Sequence, residues 1–316
     1  MPSFLTLLFS VLAAVMLFLY GLAAFSAEMA RLGGQRLHNH LQWLTRADWR
    51  GALTGAAFTA VVQSSSAVTS IAVTLAHQGT VSYRAALSLM IGANVGTTLT
   101  AWLVALHIGG LGPVFVSLGG IWSLVGPPLW RPYGKAVFYF GLIFLALDLI
   151  GTALAPLGRD PALLRWYGLL GSPIIALLAG MLLTVVVQSS SVVSGLAVLL
   201  VSQSLVAPAT AVWMVAGANV GTTSTALLAS SALDNTARKL ALLNTGFNLL
   251  GVVLFATLLR PLTASVLASS LDPTQQVALV HSLFNLTAAL VSLFLLPACW
   301  PAISTWLERP SNRTLD

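Results

Sequence analysis

Gln63-Ser64-Ser65-Ser66 returns 125 residues later as Gln188-Ser189-Ser190-Ser191, and each copy is followed at the same distance by a second shared phrase. That phrase reads Gly92-Ala93-Asn94-Val95-Gly96-Thr97-Thr98 in the first copy and Gly217-Ala218-Asn219-Val220-Gly221-Thr222-Thr223 in the second. Laying residues 55–98 over 180–223 without a gap gives 22 identities in 44 positions, which is an internal duplication. The polar residues of both phrases sit inside otherwise apolar stretches, where an unsatisfied polar group is costly. A cost carried twice at equal spacing points to one shared site.

Composition sets the class. Of 316 residues, 57% are hydrophobic and only 7% charged, against about 25% charged in soluble chains. Short charged clusters separate apolar stretches of about 20 residues, the length that crosses roughly 30 Å of hydrocarbon, so the chain reads as an all-α polytopic membrane protein. The net charge of +6 is spread between these stretches rather than along one face, which makes it a topology signal and not a nucleic-acid footprint. A single cysteine, Cys299, excludes an intramolecular disulfide, and the five histidines show no ligand spacing, so no metal centre and no cofactor are expected. The first apolar run, residues 4–25, has no basic residue before it and reads as a retained helix rather than a cleaved signal. Residues 28–50 are polar, with Arg31, Arg36, Arg46 and Arg50 beside Trp43 and Trp49, and are expected at the membrane surface.

The first serine phrase divides an apolar run into limbs of 12 residues (51–62) and 11 residues (67–77), each covering roughly 17 Å at helical rise. That is about half the hydrocarbon, so a re-entrant hairpin over 51–77 with the serines at its tip is expected. The alternative is one tilted helix whose serines bond back to their own carbonyls. The second hairpin falls over 173–206. The glycine phrases predict helices broken over 82–108 and 208–229, although their small-residue spacing also suits close helix packing. Further helices are expected over 111–130, 136–156, 240–259 and 276–297, with residues 131–135 as a basic turn between the halves. Asn248 and Asn285 fall at equal positions in a lesser repeat, residues 241–249 against 278–286, and could glue helices or meet cargo.

Phe138-Tyr139-Phe140-Gly141-Leu142 resembles Phe18-Leu19-Tyr20-Gly21-Leu22, so the pattern restarts near residue 131. Repeat 1 is therefore residues 1–130 and repeat 2 residues 131–316, the latter with one extra closing helix. An odd number of full crossings precedes the restart, which makes the repeats inverted in topology, with about seven crossings plus two hairpins whose tips can meet at the midplane. The basic residues agree. Arg31, Arg36, Arg46, Arg50, Arg84, Arg131, Lys135, Arg238, Lys239, Arg309 and Arg313 fall on one side, and only Arg159, Arg165 and Arg260 on the other, eleven against three. The rich side is cytoplasmic, which places the N-terminus outside and the C-terminus inside.

No lysine or arginine falls within the membrane core of this layout. An anion there must be held by helix N-termini, by serine and threonine hydroxyls and glutamine N–H groups, and by co-bound cations. A tetrahedral oxyanion suits two serine tips, Gln63, Ser64, Ser65 and Ser66 with Gln188, Ser189, Ser190 and Ser191. Sodium ions on oxygens of Asn94, Thr97, Thr98, Asn219, Thr222 and Thr223 would offset its charge. An enzyme reading is poor, since the serines are symmetric triplets without a Gly-x-Ser-x-Gly elbow, and His77 and His281 read as packed or solvated side chains. A passive channel is the harder competitor, because hairpins occur in channels too. Glu28 and Asp148, mates at an offset of 120, are equally cation ligands or interfacial residues.

The doubled Gln-Ser-Ser-Ser, each followed by Gly-Ala-Asn-Val-Gly-Thr-Thr, resembles the type II sodium-dependent phosphate cotransporter family and its bacterial members. The resemblance implies secondary transport of inorganic phosphate driven by sodium, by alternating access across a bacterial cytoplasmic membrane, with the serine tips as substrate site. Phosphate export, another small oxyanion and a passive anion channel are the alternatives, and a homodimer is compatible with the sequence. Animal members carry a long disulfide-linked loop between the halves; here residues 131–135 form the link, without cysteine. Some bacterial relatives carry a regulatory domain after the core, and none is expected within a sequence that reaches Asp316 so soon after its last helix.

Overall fold

The computed structural model describes residues 4–44, 47–106, 110–154, 170–231 and 233–309, without the side chains of Phe4 and residues 33–44. Arg46, Arg159, Arg165 and Arg313, and the side chains of Arg36 and Trp43, lie outside the described residues. Every described element is an α-helix. In order they are α1 (Phe4–Leu44), α2 (Asp48–Val62), α3 (Ser65–His77), α4 (Tyr83–Ala105), α5 (Gly112–Val125) and α6 (Arg131–Leu154). From residue 170 onward come α7 (Pro173–Val187), α8 (Ser190–Ser202), α9 (Pro208–Gly221), α10 (Thr223–Ser231), α11 (Asn235–Ala256), α12 (Arg260–Leu267) and α13 (Pro273–Glu308).

Five described helices are long and apolar enough to cross a membrane: residues 5–32 of α1, then α4, α6, α11 and α13. The sequence suggests about seven, and the difference has two sources. α5 holds 14 residues, roughly 21 Å, where 20 were expected. The stretch over 208–229 is divided between α9 and α10 at Thr222. Two boundaries also differ. α1 continues as helix to Leu44 with no break before residue 28, and the expected basic turn at 131–135 is the first turn of α6.

Glycines fix the direction of neighbouring helices. A Cβ on Gly55 would collide with the Leu89 carbonyl, one on Gly92 with the Ala52 carbonyl, and one on Gly96 with the Ala56 carbonyl. Rising numbers on α2 meet rising numbers on α4, so the two run parallel in backbone-to-backbone contact. α3 therefore carries the chain back from the end of α2 to the start of α4. The second copy repeats this pattern: Gly180 abuts Met214, Gly217 abuts Leu177 and Gly221 abuts Met181, making α7 and α9 parallel with α8 as the return leg.

These contacts also correct the reading of the glycine phrase in α4. That helix runs unbroken through residues 92–98, because Gly92 and Gly96 serve the approach of α2 rather than a gap in the helix. Only the second copy is interrupted, at Thr222.

Elsewhere the pairs are antiparallel. Gly112 meets Leu145, Gly119 meets Phe138 and Gly134 meets Ser123, which lays α5 against α6. Tyr20 packs edge-on to Tyr139, Phe25 tilts against Phe140, and Ser10 and Thr152 line one pocket, so α1 and α6 run in opposite senses. Two charged contacts tie helix ends together. Arg84 grips Asp48 through Nη2 at 2.6 Å and lies 5.7 Å from the Trp300 ring, while Lys239 Nζ caps the end of α13 on the carbonyls of Trp306 (2.8 Å), Leu307 (3.2 Å) and Arg309 (2.7 Å).

Candidate functional site

Each serine phrase makes the same backbone break. Gln63 (φ 58°, ψ 26°) and Gln188 (φ 60°, ψ 24°) both adopt the left-handed conformation that closes α2 and α7, with their N–H groups on Thr59 and Thr184 carbonyls at 2.6 and 2.7 Å. A left-handed residue other than glycine costs of order 1–3 kcal/mol and persists where surroundings enforce it. Here the enforcement occurs twice. The next residue is extended and starts a new helix: Ser64 Oγ accepts from Ala67 N at 3.2 Å, and Ser189 Oγ from Val192 N at 3.4 Å. The first serine of each triplet is thus an N-cap.

That cap leaves the N–H groups of Ser65 and Ser66, and of Ser190 and Ser191, ahead of their helices' own hydrogen-bond ladders, at the positive ends of α3 and α8. Ser65, Ser190 and Ser191 are buried, and Ser64, Ser66, Gln188 and Ser189 are half-buried. The two breaks lie against each other. Ser191 Oγ donates to the Gln63 backbone carbonyl at 3.5 Å across 128 residues of sequence. Such a pair of helix N-termini with hydroxyls attached can receive an oxyanion without a cationic side chain.

The Gly-Ala-Asn phrases are tied to the two closing helices. Asn94 Nδ2 donates to Asn248 Oδ1 at 3.1 Å, and Asn219 Nδ2 donates to Asn285 Oδ1 at 2.8 Å. Asn248 and Asn285 donate in turn to the Asn244 and His281 carbonyls, at 2.9 and 3.1 Å. Donation through Nδ2 turns the Oδ1 of Asn94 and Asn219 away from this bond. Thr97 and Thr98 donate to carbonyls of α4, and Thr222 and Thr223 to the Ala218 and Val220 carbonyls of α9, which leaves oxygen lone pairs for a cation. Among the described residues no cluster of His, Cys, Asp or Glu could hold a metal ion. Oxygen donors of this neutral kind suit a hard monovalent cation better than a transition metal.

Two features escape a sequence-only reading. Thr100, two residues beyond the repeated phrase, donates to Gln63 Oε1 at 2.7 Å; its repeat mate Thr225 was the available clue. Asp48 and Arg84 form a bidentate ion pair that holds the starts of α2 and α4 together. Asp148 accepts from Gly110 N at 3.2 Å, a loop contact away from the serine tips.

The sequence profile of the Na+/Pi-cotransporter family matches residues 17–152 and 163–271. The chain is 28% identical over 292 residues to "Uncharacterized protein YqeW" of Bacillus subtilis, covering 91% of this chain and 94% of that protein. It is 30% identical over 289 residues to "Putative inorganic phosphate export protein YjbB" of Escherichia coli, covering 90% of this chain and 53% of that one, and 30% identical over 286 residues to the Salmonella typhimurium protein of the same name, covering 90% and 52%. It thus spans about half the length of these YjbB relatives. No solved structure matches. With its duplicated serine tips and a profile match over most of its length, the chain belongs to the Na+/Pi-cotransporter family.

Proposed function

We propose that the protein is a secondary transporter that couples sodium ions to inorganic phosphate movement across a bacterial cytoplasmic membrane by alternating access. The observation that carries this reading is the meeting of the two serine breaks, where Ser191 Oγ reaches the Gln63 carbonyl. Phosphate would accept from Gln63, Ser64, Ser65 and Ser66 on one side and from Gln188, Ser189, Ser190 and Ser191 on the other. Sodium ions would sit on oxygens of Asn94, Thr97, Thr98, Asn219, Thr222 and Thr223. A doubly charged anion near the midplane is prohibitive alone, and co-bound cations reduce that cost, so coupling follows from charge.

The inverted topology is supported by direction. α1 and α6, mates at an offset of 120, run antiparallel, while α2–α4 and α7–α9 share one internal arrangement. With repeat 2 inverted, α2–α3 and α7–α8 are re-entrant hairpins entering from opposite faces. Arg84, Lys239 and Arg309 gather where Trp300 and Trp306 end α13, which supports a cytoplasmic face there and an external N-terminus.

Export is the second reading, favoured by the name of the YjbB relatives. Both readings share one site and differ in the direction of the driving gradient. Labelled phosphate movement in proteoliposomes, with sodium gradients imposed either way, tests them together. Sodium-driven accumulation is expected; equal phosphate fluxes with and without sodium would remove the coupling and leave a channel.

A further inference from the structure

The two copies share most of their hydrogen bonds and differ in those that reach the tip glutamines from outside their own helices. Thr100 Oγ1 donates to Gln63 Oε1, and Ser191 Oγ reaches the Gln63 carbonyl, so Gln63 is held at both its side chain and its backbone. The residues that would do the same for Gln188 are Thr225 and Ser66, each at the equivalent position 125 residues away. Neither does so. Thr225 Oγ1 donates instead to the Thr222 carbonyl at 2.7 Å, and no described group donates to Gln188 Oε1. Gln63 and Thr100 are buried, whereas Gln188 and Thr225 are half-buried.

Helix continuity separates the copies in the same way. Where α9 ends at Gly221 and α10 begins at Thr223, the Thr222 carbonyl accepts both the N–H of Thr225 at 3.1 Å and its hydroxyl at 2.7 Å. In unbroken α4 the Thr100 hydroxyl does not turn back to the matching Thr97 carbonyl and reaches its glutamine instead. Both glutamines keep the same left-handed backbone, so their carboxamides start from equivalent places.

We propose that Thr100 and Thr225 are positioning residues that hold the two tip glutamines by turns, Gln63 in the access state seen here and Gln188 in the opposite one. This rests on the transporter reading for its functional meaning. In the opposite state α9 and α10 join across Thr222 while α4 opens at Thr97; Thr225 reaches Gln188 and Ser66 the Gln188 carbonyl, Thr100 leaves Gln63 for the Thr97 carbonyl, and Ser191 lets go of the Gln63 carbonyl. An inverted repeat makes such an exchange close to neutral in energy, since the bonds made equal the bonds broken in kind and number.

Cross-linking tests the exchange without requiring transport. In a Cys299→Ala background, Gln63→Cys with Thr100→Cys forms one pair, and Gln188→Cys with Thr225→Cys forms the other. With a short bifunctional thiol reagent, each pair should cross-link in its own protein, and a chain carrying all four cysteines should close one pair or the other. Cross-linking of the first pair alone, or of both pairs in one chain, would overturn the proposal.

Sided phosphate affinity supplies a second readout. Thr100→Val should shift apparent affinity on the two membrane faces in opposite senses, about fivefold for one buried hydrogen bond, with Thr225→Val giving the mirror shift and Thr100→Ser the wild-type ratio. Equal losses on both faces would mark the threonines as structural. Wild-type protein that moves no phosphate would sink the transporter reading instead, and the cross-linking would still report on the exchange.

Discussion

α2 with α4 and α7 with α9 are the same object built twice, yet one copy has a continuous motif helix and a glutamine held by residues beyond its own helix, and the other has neither. The shared parts are those set by the backbone: parallel helices in contact through Gly55, Gly92 and Gly96 or Gly180, Gly217 and Gly221, and a left-handed glutamine at each break. The differing parts are single hydrogen bonds of Thr100, Thr225 and Ser191. Rigid packing is thus duplicated, and the asymmetry lies in contacts worth about 1 kcal/mol at most, the long Ser191 contact less than the Thr100 bond. That is the division of labour the proposed alternating access would need, in which a stiff frame carries switches of low energy.

The frame is where the comparison breaks most heavily. Gly92→Ala and Gly217→Ala place a methyl group against the Ala52 and Leu177 carbonyls, backbone atoms that cannot rotate aside. Each should cost about 1–3 kcal/mol or more, read as lost folded protein and lower thermal stability in detergent, and by similar amounts because the contacts match. Gly246→Ala, with nothing within 4 Å of the added carbon, is the neutral control. A large loss for Gly92→Ala beside none for Gly217→Ala would show that the two frames are not equivalent.

A smaller effect is expected at the asparagine pairs. Asn248→Ala and Asn285→Ala each remove the acceptor for Asn94 or Asn219, worth about 0.6 kcal/mol on average and at most about 1.7 for polar contacts between membrane helices. The consequence should be a rise of about threefold, and at most about twentyfold, in the sodium concentration needed for half-maximal transport, with phosphate affinity at saturating sodium less affected. An unchanged sodium dependence in both variants would return these asparagines to a purely structural role.

How far the sequence spoke depends on whether a feature is local. The serine breaks were legible because a polar quartet inside apolar flanks cannot sit in an uninterrupted helix without cost, and the structure ends α2 and begins α3 around Gln63 and Ser64. The glycine phrases were ambiguous, since the same small residues serve a helix break or a close neighbour. Asn and Thr beside them favoured the break, and in α4 packing against Ala52 and Ala56 decides otherwise. Partners far apart in sequence could not be read at all. Asn248 was visible as a repeat mate of Asn285, but its bond to Asn94 spans 154 residues. The Thr100 hydroxyl was visible only as one more polar atom near a motif.

The central claim is that the two serine tips are one phosphate site, and a double-mutant cycle on Ser65 and Ser190 tests it most directly. If both serines donate to the same buried anion, each alanine variant removes a charged hydrogen bond of about 1.5–3 kcal/mol, roughly a tenfold to hundredfold loss of apparent phosphate affinity. The double variant should then depart from the product of the single losses, because both serines serve one ligand. Near-normal phosphate affinity in Ser65→Ala and Ser190→Ala, at normal membrane abundance, would contradict the account and leave the tips as structural breaks with the substrate elsewhere.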